Sequence, residues 1–174
     1  HPYQKLPVIK KYINGNTLEN LKWGLVPSWS KKKDFKALIN ARLETIDEKI
    51  SFKKLIKLHR CVAVADGFYE WKREEKNKTP YYFEREDKKN MYMAGIYENN
   101  EFCLITENAS ENIKPIHHRQ PVILNESDVN RYLNLELSGS NFLRECKKTK
   151  LSFYEVSKEV NKPTNNSISL IQKL

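Results

Sequence analysis

The feature that most constrains the fold is a series of short apolar runs separated by short polar connections. Runs of this kind, bounded by turn-forming residues, are typical of β-strands. The connection Glu98-Asn99-Asn100 is too short for a crossover helix and favours antiparallel neighbours, while the charged residues 72–78 predict a hairpin loop. We predict strands at residues 21–26, 60–65, 80–86, 91–97, 101–106, 121–124 and 151–156.

Three segments carry helical signals instead. Apolar residues recur with helical spacing over residues 51–58. Ser127 is a suitable N-cap for a helix that runs through Leu133, and a third helix is predicted over residues 140–147. A strand majority with a few helices indicates an α+β fold, with a curled, barrel-like antiparallel β-rich core and peripheral helices.

Length and composition limit the class of protein. A chain of 174 residues predicts one domain over residues 1–174, with residues 164–174 as a tail. The 39% hydrophobic and 11% aromatic content is that of a globular protein. No apolar run approaches the roughly 18 to 20 residues of a membrane helix, and no signal peptide opens the sequence. We expect a soluble, cytoplasmic protein without membrane contact.

The charge of the chain points to a class of partner. Its 31 Lys and Arg residues outnumber its 22 Asp and Glu residues, leaving a formal charge of +9. Such a surface attracts polyanions through phosphate neutralisation and counterion release, so nucleic acid is the predicted partner. The alternative is a basic surface that is merely solvated.

The cysteines do not predict a disulfide or a zinc site. Cys61, Cys103 and Cys146 are widely separated, and none forms a Cys-x-x-Cys pair. Cys61 and Cys103 lie in apolar runs, where a small buried thiol is the ordinary interpretation. The histidines lack the i, i+4 spacing of a helical metal pair. We therefore predict no metal and no cofactor.

Residues 60–71, Arg-Cys-Val-Ala-Val-Ala-Asp-Gly-Phe-Tyr-Glu-Trp, carry two acids to the end of an apolar strand. Counting by twos from Val62 reaches Glu70, so an unbroken strand directs Glu70 to the core side unless Gly67 is a bulge. Partial burial raises a carboxyl pKa and suits Glu70 to proton transfer near neutral pH. The alternative is an edge-strand Glu paired with Lys or Arg.

Two further segments offer groups that could bind a nucleic acid. Trp23 and Trp29 flank a Gly and a Pro, so a stiff turn presents two rings on which bases could stack; the alternative is a pair of core tryptophans. Asn40 and Arg42 face the same way in an extended segment and could hold a phosphate. Their alternative is a capping Asn and a surface Arg beside Glu44.

The segment His-His-Arg-Gln-Pro-Val-Ile-Leu at 117–124 places imidazoles at the start of a predicted strand. Imidazole is suited to proton transfer near neutral pH. Because neighbouring side chains of an extended backbone point in opposite directions, only one of His117 and His118 can face a given site. The alternative for either is a solvated or structurally bonded His.

Taken in order and spacing, these segments resemble the SRAP family of SOS response-associated peptidase-like proteins, which act as abasic-site sensors. The matching motifs are Trp-Gly-x-x-Pro-x-Trp at 23–29, Asn-Ala-Arg-x-Glu-Thr at 40–45, Asp-Gly-Phe-Tyr-Glu-Trp at 66–71 and His-x-Arg-x-Pro-Val-Ile-Leu at 117–124. The segment Val-Ser-x-x-Val-Asn at 156–161 resembles the family's closing strand and turn. Gln120 stands where many members carry another residue.

The resemblance implies a single domain that binds single-stranded DNA containing abasic sites. It further implies that an N-terminal Cys, exposed by removal of the initiator Met, forms a thiazolidine crosslink with the opened sugar. Glu70 would manage protons at that amine and in Met removal, His117 would act as acid and base at the sugar, and Asn40 would orient the reacting groups. Residues implied to contact the DNA are Trp23, Trp29, Arg42, Thr106 and Arg119.

The sequence begins at His1, without the Met-Cys start of the family. We therefore expect an N-terminally truncated form that lacks the nucleophile and is inactive as given, and a monomer that associates with the nucleoid when bound to DNA. Two other functions remain open at this point: a noncatalytic module that binds single-stranded nucleic acid, and a peptidase acting on other proteins.

Overall fold

A computed structural model describes residues 1–32, 34–75 and 77–174. The chain divides into two compact units. The first unit comprises His1–Ala65, Tyr92–Glu107 and Pro121–Thr149, and the second comprises Asp66–Met91, Asn108–Gln120 and Lys150–Leu174. Within the described ranges, no helix is long and apolar enough to cross a membrane.

Among the described residues, strands outnumber helices, as expected for the predicted β-rich α+β fold. The strands are β1 Lys5–Tyr12, β2 Gly15–Trp23, β3 Asn40–Arg42, β4 Arg60–Ala65, β5 Gly67–Glu74, β6 Asn77–Arg85, β7 Met91–Glu98, β8 Glu101–Asn108, β9 Arg119–Pro121, β10 Ile123–Leu124 and β11 Leu151–Glu155. The α-helices are α1 Leu55–Leu58, α2 Glu126–Leu133 and α3 Asn141–Glu145, and 3₁₀ helices follow at Lys158–Asn161 and Ile168–Ile171.

The sheet of the first unit curls until it meets itself. β1 pairs with β2 and β4, β2 with β8, β8 with β7, and β7 with β4, so the strands form a closed ring. The predicted curled, antiparallel β-rich core is therefore confirmed, although β2 and β3 each run parallel to β8. Parallel neighbours arise here because long connections separate β8 from both strands in the sequence.

The core of the first unit lies between this ring and the helices. Its fully buried members include Leu25, Ile56, Val62, Ile105 and Tyr132. The Tyr132 hydroxyl donates to the Gly95 carbonyl at 2.9 Å, which satisfies the one polar group of that buried side chain.

A buried cation completes the packing of the helices in this unit. The Arg60 side chain donates at 2.6–3.2 Å to a group of backbone carbonyls. These carbonyls belong to Ile56, Tyr132, Glu136, Leu137 and Gly139. The Ile56 and Tyr132 carbonyls lie in the last turns of α1 and α2, where carbonyls lack intrahelical partners and carry partial negative charge, and the other three lie in the connection between α2 and α3.

The second unit is built on the antiparallel sheet β5–β6–β11. Phe68 stacks on Phe83 with ring centroids 4.8 Å apart, and Phe83 lies 5.1 Å from Phe153. The terminal residues pack here as well: Leu170 is buried, and Tyr154 donates to the Ile171 carbonyl at 2.8 Å. Residues 164–174, the predicted tail, thus include a 3₁₀ helix with a buried side chain.

Several local predictions need correction. The apolar strand does not run unbroken to Glu70, because it stops at Ala65 and β5 begins after Asp66 in a different sheet. The charged residues 72–78 are mostly strand rather than loop, with a turn at Glu75; Lys76 lies outside the described residues. The N-cap of α2 is Asn125 rather than Ser127, so Glu126 and Asp128 lie in the first turn, where acids are favourable.

Candidate active site

The second unit brings Glu70 and His117 together. Glu70 lies in β5, opposite Tyr81 of β6. Its Oε1 atom lies 3.7 Å from Nδ1 of His117, and both side chains are about a quarter exposed, at 28% and 27%. The pair is therefore partly shielded from water and still open to a ligand.

The environment of Glu70 favours its protonated form. Burial raises the pKa of the Glu70 carboxyl above its ordinary value, and this exceeds the lowering effects of His117, the Trp71 backbone N–H and Arg73. A carboxyl whose pKa moves toward neutrality can both donate and accept a proton near physiological pH. The partial burial expected for Glu70 is present and acts to raise its pKa, although the unbroken strand from which it was inferred is absent.

The backbone around His117 fixes the orientation of its ring. Nδ1 lies 3.0 Å from the Arg119 carbonyl and 3.2 Å from the Arg119 backbone nitrogen, so it donates to the first or accepts from the second according to the tautomer. The His117 backbone N–H donates to the Ile113 carbonyl at 3.1 Å. Nδ1 therefore faces both the Arg119 backbone and the Glu70 carboxyl.

Arg119 belongs to the same unit as this pair. Its guanidinium donates to Oδ1 of Asn108 at 2.8 Å. The next residue, Gln120, is buried, and its side-chain carbonyl accepts from the Ser110 backbone N–H at 2.9 Å. Both contacts connect residues 108–110 to β9. The sequence predicts neither contact, because the paired residues are about ten positions apart and follow no helical or strand period.

In the first unit, Asn40 and Arg42 project from the same face of β3. Both are exposed and flank the buried Ala41, as the predicted extended segment requires. β3 lies parallel to β8, with Arg42 opposite Thr106. Because paired residues of neighbouring strands share a face, Arg42 and the nearly buried Thr106 lie side by side. An amide, a guanidinium and a hydroxyl are thus grouped on one sheet face.

The two tryptophans of the first unit have different environments. Trp23 is half-buried and donates its Nε1–H to the Ile39 carbonyl at 2.8 Å. Trp29 is 52% exposed and makes an edge contact with Phe35, with ring centroids 6.1 Å apart. Trp29 is therefore the more accessible of the two rings, and Trp23 is held by its hydrogen bond at the end of β2.

Two carboxylates hold the turn that carries Trp29. Glu101 accepts from the Val26 backbone N–H at 2.8 Å, and Glu98 accepts from the Ser28 backbone N–H at 2.8 Å and its hydroxyl at 2.7 Å. The Trp29 ring is thereby presented from an anchored turn. Sequence reasoning missed both acids, since the turn and the acids lie about 70 residues apart.

The structure therefore groups the predicted site residues in two sets. Glu70, His117 and Arg119 belong to the second unit. The remainder belong to the first unit: Trp23, Trp29, Asn40, Arg42 and Thr106. In the described part of the chain, no cluster of three or more His, Cys, Asp or Glu side chains is arranged to hold a metal ion.

The protein has a β-rich α+β fold, and comparison with known families gives its class. The sequence model of the family described as SOS response associated peptidase (SRAP) matches residues 1–163. The chain belongs to the SRAP family.

Named relatives and a solved structure extend this likeness. The chain is 35% identical over 186 residues to abasic site processing protein YoqW of Bacillus subtilis, covering 98% of this chain and 83% of YoqW. Its identity to abasic site processing protein YoaM of the same organism is 35% over 185 residues, covering 98% and 82%. A crystal structure of a protein from Bacteroides thetaiotaomicron matches with a TM-score of 0.86 and 28% identity, covering 99% of this chain and 82% of that one.

Proposed function

We propose that this chain processes abasic sites in single-stranded DNA and that residues 1–174 act as one SRAP domain. The observation that carries the proposal is the Glu70–His117 pair, in which a carboxyl of raised pKa lies 3.7 Å from an imidazole. Membership of the SRAP family, the names of the relatives and the formal charge of +9 support it.

The proposed reaction is a covalent crosslink made by the N-terminal Cys of the full-length form after removal of its initiator Met. The neutral amine adds to the aldehyde of the opened sugar, and the carbinolamine loses water to give an imine. The Cys thiol then adds across the C=N bond, its proton passes to nitrogen, and a thiazolidine ring closes. Each step moves protons, which is work for positioned acids and bases.

We assign different steps of this reaction to different residues. Glu70 accepts the proton of the N-terminal ammonium and assists removal of the Met, while His117 transfers protons at the sugar oxygen. Asn40 orients the reacting groups by hydrogen bonding. Such positioning converts a bimolecular encounter into a reaction within one complex.

The remaining residues would bind the strand on either side of the lesion. Arg42 and Arg119 would hold phosphates, because a guanidinium matches the geometry of a phosphate. Trp29 and, to a lesser extent, Trp23 would support bases by stacking, and Thr106 would line the site. Stacking on an indole favours a single strand as the proposed substrate, because a base in a duplex is not free to stack on a side chain.

The test is to incubate the full-length protein with a single-stranded oligonucleotide carrying one abasic site and to follow the adduct on a denaturing gel. We expect Glu70→Gln or His117→Gln to slow adduct formation by about 100-fold or more, the scale of general acid–base catalysis. A strand without the lesion is the control for the DNA, and Glu86→Gln, an exposed carboxylate, is the control for the protein.

The same experiment separates the rival functions. Absence of a denaturation-resistant adduct with the wild-type protein would discard the crosslinking chemistry. Equal affinity for intact and abasic strands, unchanged by substitution of Glu70 or His117, would indicate a noncatalytic binding module. Turnover of an added peptide would be required for a peptidase that acts on other proteins.

A further inference from the structure

We propose that Glu98 is a positioning residue for the Trp29 indole: it fixes the turn that carries this ring and thereby sets how well an unpaired base of single-stranded DNA stacks there. Glu98 acts through the turn and is not assigned a contact with DNA. The inference rests on the proposed function in one respect, since it takes Trp29 as a stacking surface for the strand. It adds the residue that determines how firmly this surface is held.

The segment that carries the indole lies outside the regular structure. Residues 26–29 lie between β2 and β3 and belong to no strand or helix of the described chain. Just before this segment, the backbones of Leu25 and Leu38 exchange hydrogen bonds of 2.9 and 2.8 Å, and the Ser30 backbone N–H donates to the Pro27 carbonyl at 2.9 Å. The position of the indole therefore depends strongly on the side chains that bind this turn.

Glu98 binds the residue next to Trp29 through both of its carboxylate oxygens. Oε2 accepts from the Ser28 backbone N–H at 2.8 Å, and Oε1 accepts from the Ser28 hydroxyl at 2.7 Å. Hydrogen bonds to a carboxylate are stronger than those between neutral groups. Because the two bonds hold both the backbone and the side chain of Ser28, they set the direction in which the chain enters Trp29.

Glu98 itself is anchored in a sheet. Glu98 and Glu101 flank the two-residue connection Asn99-Asn100, and β7 pairs with β8 up to these two acids. The Asn100 carbonyl accepts from the Lys22 backbone N–H at 2.9 Å, which joins the end of this hairpin to β2. A side chain that projects from a paired strand holds its partner more precisely than one that projects from a loop.

The placement of two acids opposite each other is consistent with this role. Glu98 and Glu101 are cross-strand neighbours, and like charges in that position destabilise a sheet. Donors from outside the hairpin offset the repulsion: Glu101 accepts from the Val26 backbone N–H at 2.8 Å and pairs with Lys22 at 2.9 Å, while Glu98 binds Ser28. The acids thus stabilise the turn at a cost to their own hairpin.

The negative charge of Glu98 gives the inference a sign that can be tested. A carboxylate near a strand of phosphates weakens binding, so removal of the charge alone would raise the affinity for DNA. Loss of positioning acts in the opposite direction, because a mobile indole must be ordered before a base can stack on it. Substitutions that remove the charge with and without the hydrogen bonds separate the two effects.

The experiment compares Glu98→Ala with Glu98→Gln in the full-length protein. Binding of an intact, fluorescein-labelled single-stranded oligothymidylate is measured by anisotropy at fixed ionic strength. Both variants lose the charge, but the glutamine carbonyl can still accept from the Ser28 N–H and its amide can donate to the Ser28 hydroxyl. We expect Glu98→Ala to weaken binding about 5-fold, at the lower end of base stacking, and Glu98→Gln to stay within about 2-fold of wild type.

A double-mutant cycle with Trp29→Ala tests whether Glu98 acts through the indole. Trp29→Ala alone should weaken binding about 5-fold or more. Glu98→Ala added to Trp29→Ala should weaken binding by less than about 2-fold, because no ring is left to position. A purely structural loss would weaken binding in both backgrounds.

The matched control is Glu48→Ala, which removes an exposed carboxylate from the same unit and should not weaken binding. Thermal unfolding checks that each variant is folded. Ser28→Ala deletes one of the two donors to Glu98 and is the second variant if Glu98→Ala does not fold. It should weaken binding in the Trp29 background and not in the Trp29→Ala background.

Failure of this inference is distinguishable from failure of the proposed function, because the intact strand carries no lesion. Equal affinities of Glu98→Ala and Glu98→Gln, or a loss that persists in the Trp29→Ala background, would overturn the positioning role whatever the adduct yield. Coupling between Glu98 and Trp29 in a protein that forms no adduct would uphold the role and reject the crosslinking chemistry. Absence of binding to the strand by the wild type would overturn both.

Discussion

At the residue scale, the partly buried position of Glu70 beside His117 lowers the stability of the fold. The carboxyl is partly buried, and burial raises its pKa above the ordinary value of 4.5. Between 4.5 and the raised pKa, the folded state binds a proton more readily than the unfolded state does. The free energy of unfolding therefore falls as the pH rises through this interval, because the buried group must ionise.

We predict that Glu70→Gln stabilises the protein at neutral pH and loses this advantage in acid. The amide keeps the shape of the side chain and removes the charge that burial disfavours. The measurement is the free energy of unfolding in urea at about pH 4.5, 6 and 7.5. The gap between variant and wild type should be widest at the highest pH, and Glu86→Gln should show no comparable gap. A gap that grows in acid would contradict the raised pKa.

The shared face of Asn40 and Arg42 could be predicted from the sequence, because alternate side chains of an extended segment point to the same side. The orientation of Glu70 could not, because the strand that was extended to reach it ends at Ala65. The contacts of Arg119 and Gln120 could not be predicted either. Asn108 beside Arg119 and Ser110 beside Gln120 depend on a loop closing onto β9, which no local period records. The shared orientation of Asn40 and Arg42 is confirmed, and their roles stay predictions.

At the scale of the elements, Arg60 links the end of α1 to the chain that follows α2. Five backbone carbonyls depend on one guanidinium that is 3% exposed. Burial lowers the pKa of this guanidinium, while Asp47 and the Tyr132 ring partly offset the effect. The bonds to the Ile56, Tyr132 and Gly139 carbonyls are buried, and a buried carbonyl that loses its donor costs stability.

We predict that Arg60→Met destabilises the protein by about 3 kcal/mol or more, since unpaired buried carbonyls each cost about 1–3 kcal/mol. Urea unfolding monitored by circular dichroism measures the loss. Arg73→Met, at an exposed position, is the matched control and should change stability by less than about 0.5 kcal/mol. A loss no larger than that of the control would show that water replaces the guanidinium.

The elements that the sequence revealed are those with clear apolar content. The strand over 60–65 matches β4, and the antiparallel turn at Asn99 joins β7 and β8 as predicted. β1 was missed because Pro7 and several lysines are unusual in a strand pattern. Lys10 is nevertheless buried there, against the rings of Tyr12 and Tyr97. β3 was missed because three residues form no period.

At the scale of the whole molecule, the environments of Cys61, Cys103 and Cys146 all disfavour the thiolate form. Burial raises the pKa of Cys61 and of Cys103, and it raises the pKa of the half-buried Cys146 to about 11. The thiolate is the reactive form of Cys, so a raised pKa suppresses nucleophilic attack. These three thiols are accordingly poor candidates for the proposed crosslink.

We predict that a thiol reagent such as DTNB modifies these cysteines slowly in the native chain. At pH 8 the thiolate fraction of Cys146 is roughly 200-fold below that of a free thiol with a pKa of about 8.5. After denaturation, all three should react rapidly. The N-terminal Cys of the proposed mechanism would add one fast thiol. Fast modification of Cys146 in the native chain would contradict its raised pKa.

The interruption at Asp66 bears on how this sequence can change over generations. Because β5 takes its register from Tyr81 and the other residues of β6, the direction of the Glu70 carboxyl is not dictated by the side chains of β4. Substitutions that repack β4 can therefore accumulate without turning the acid away from His117. The break between β4 and β5 thus lets core residues of β4 change while Glu70 keeps its place beside His117.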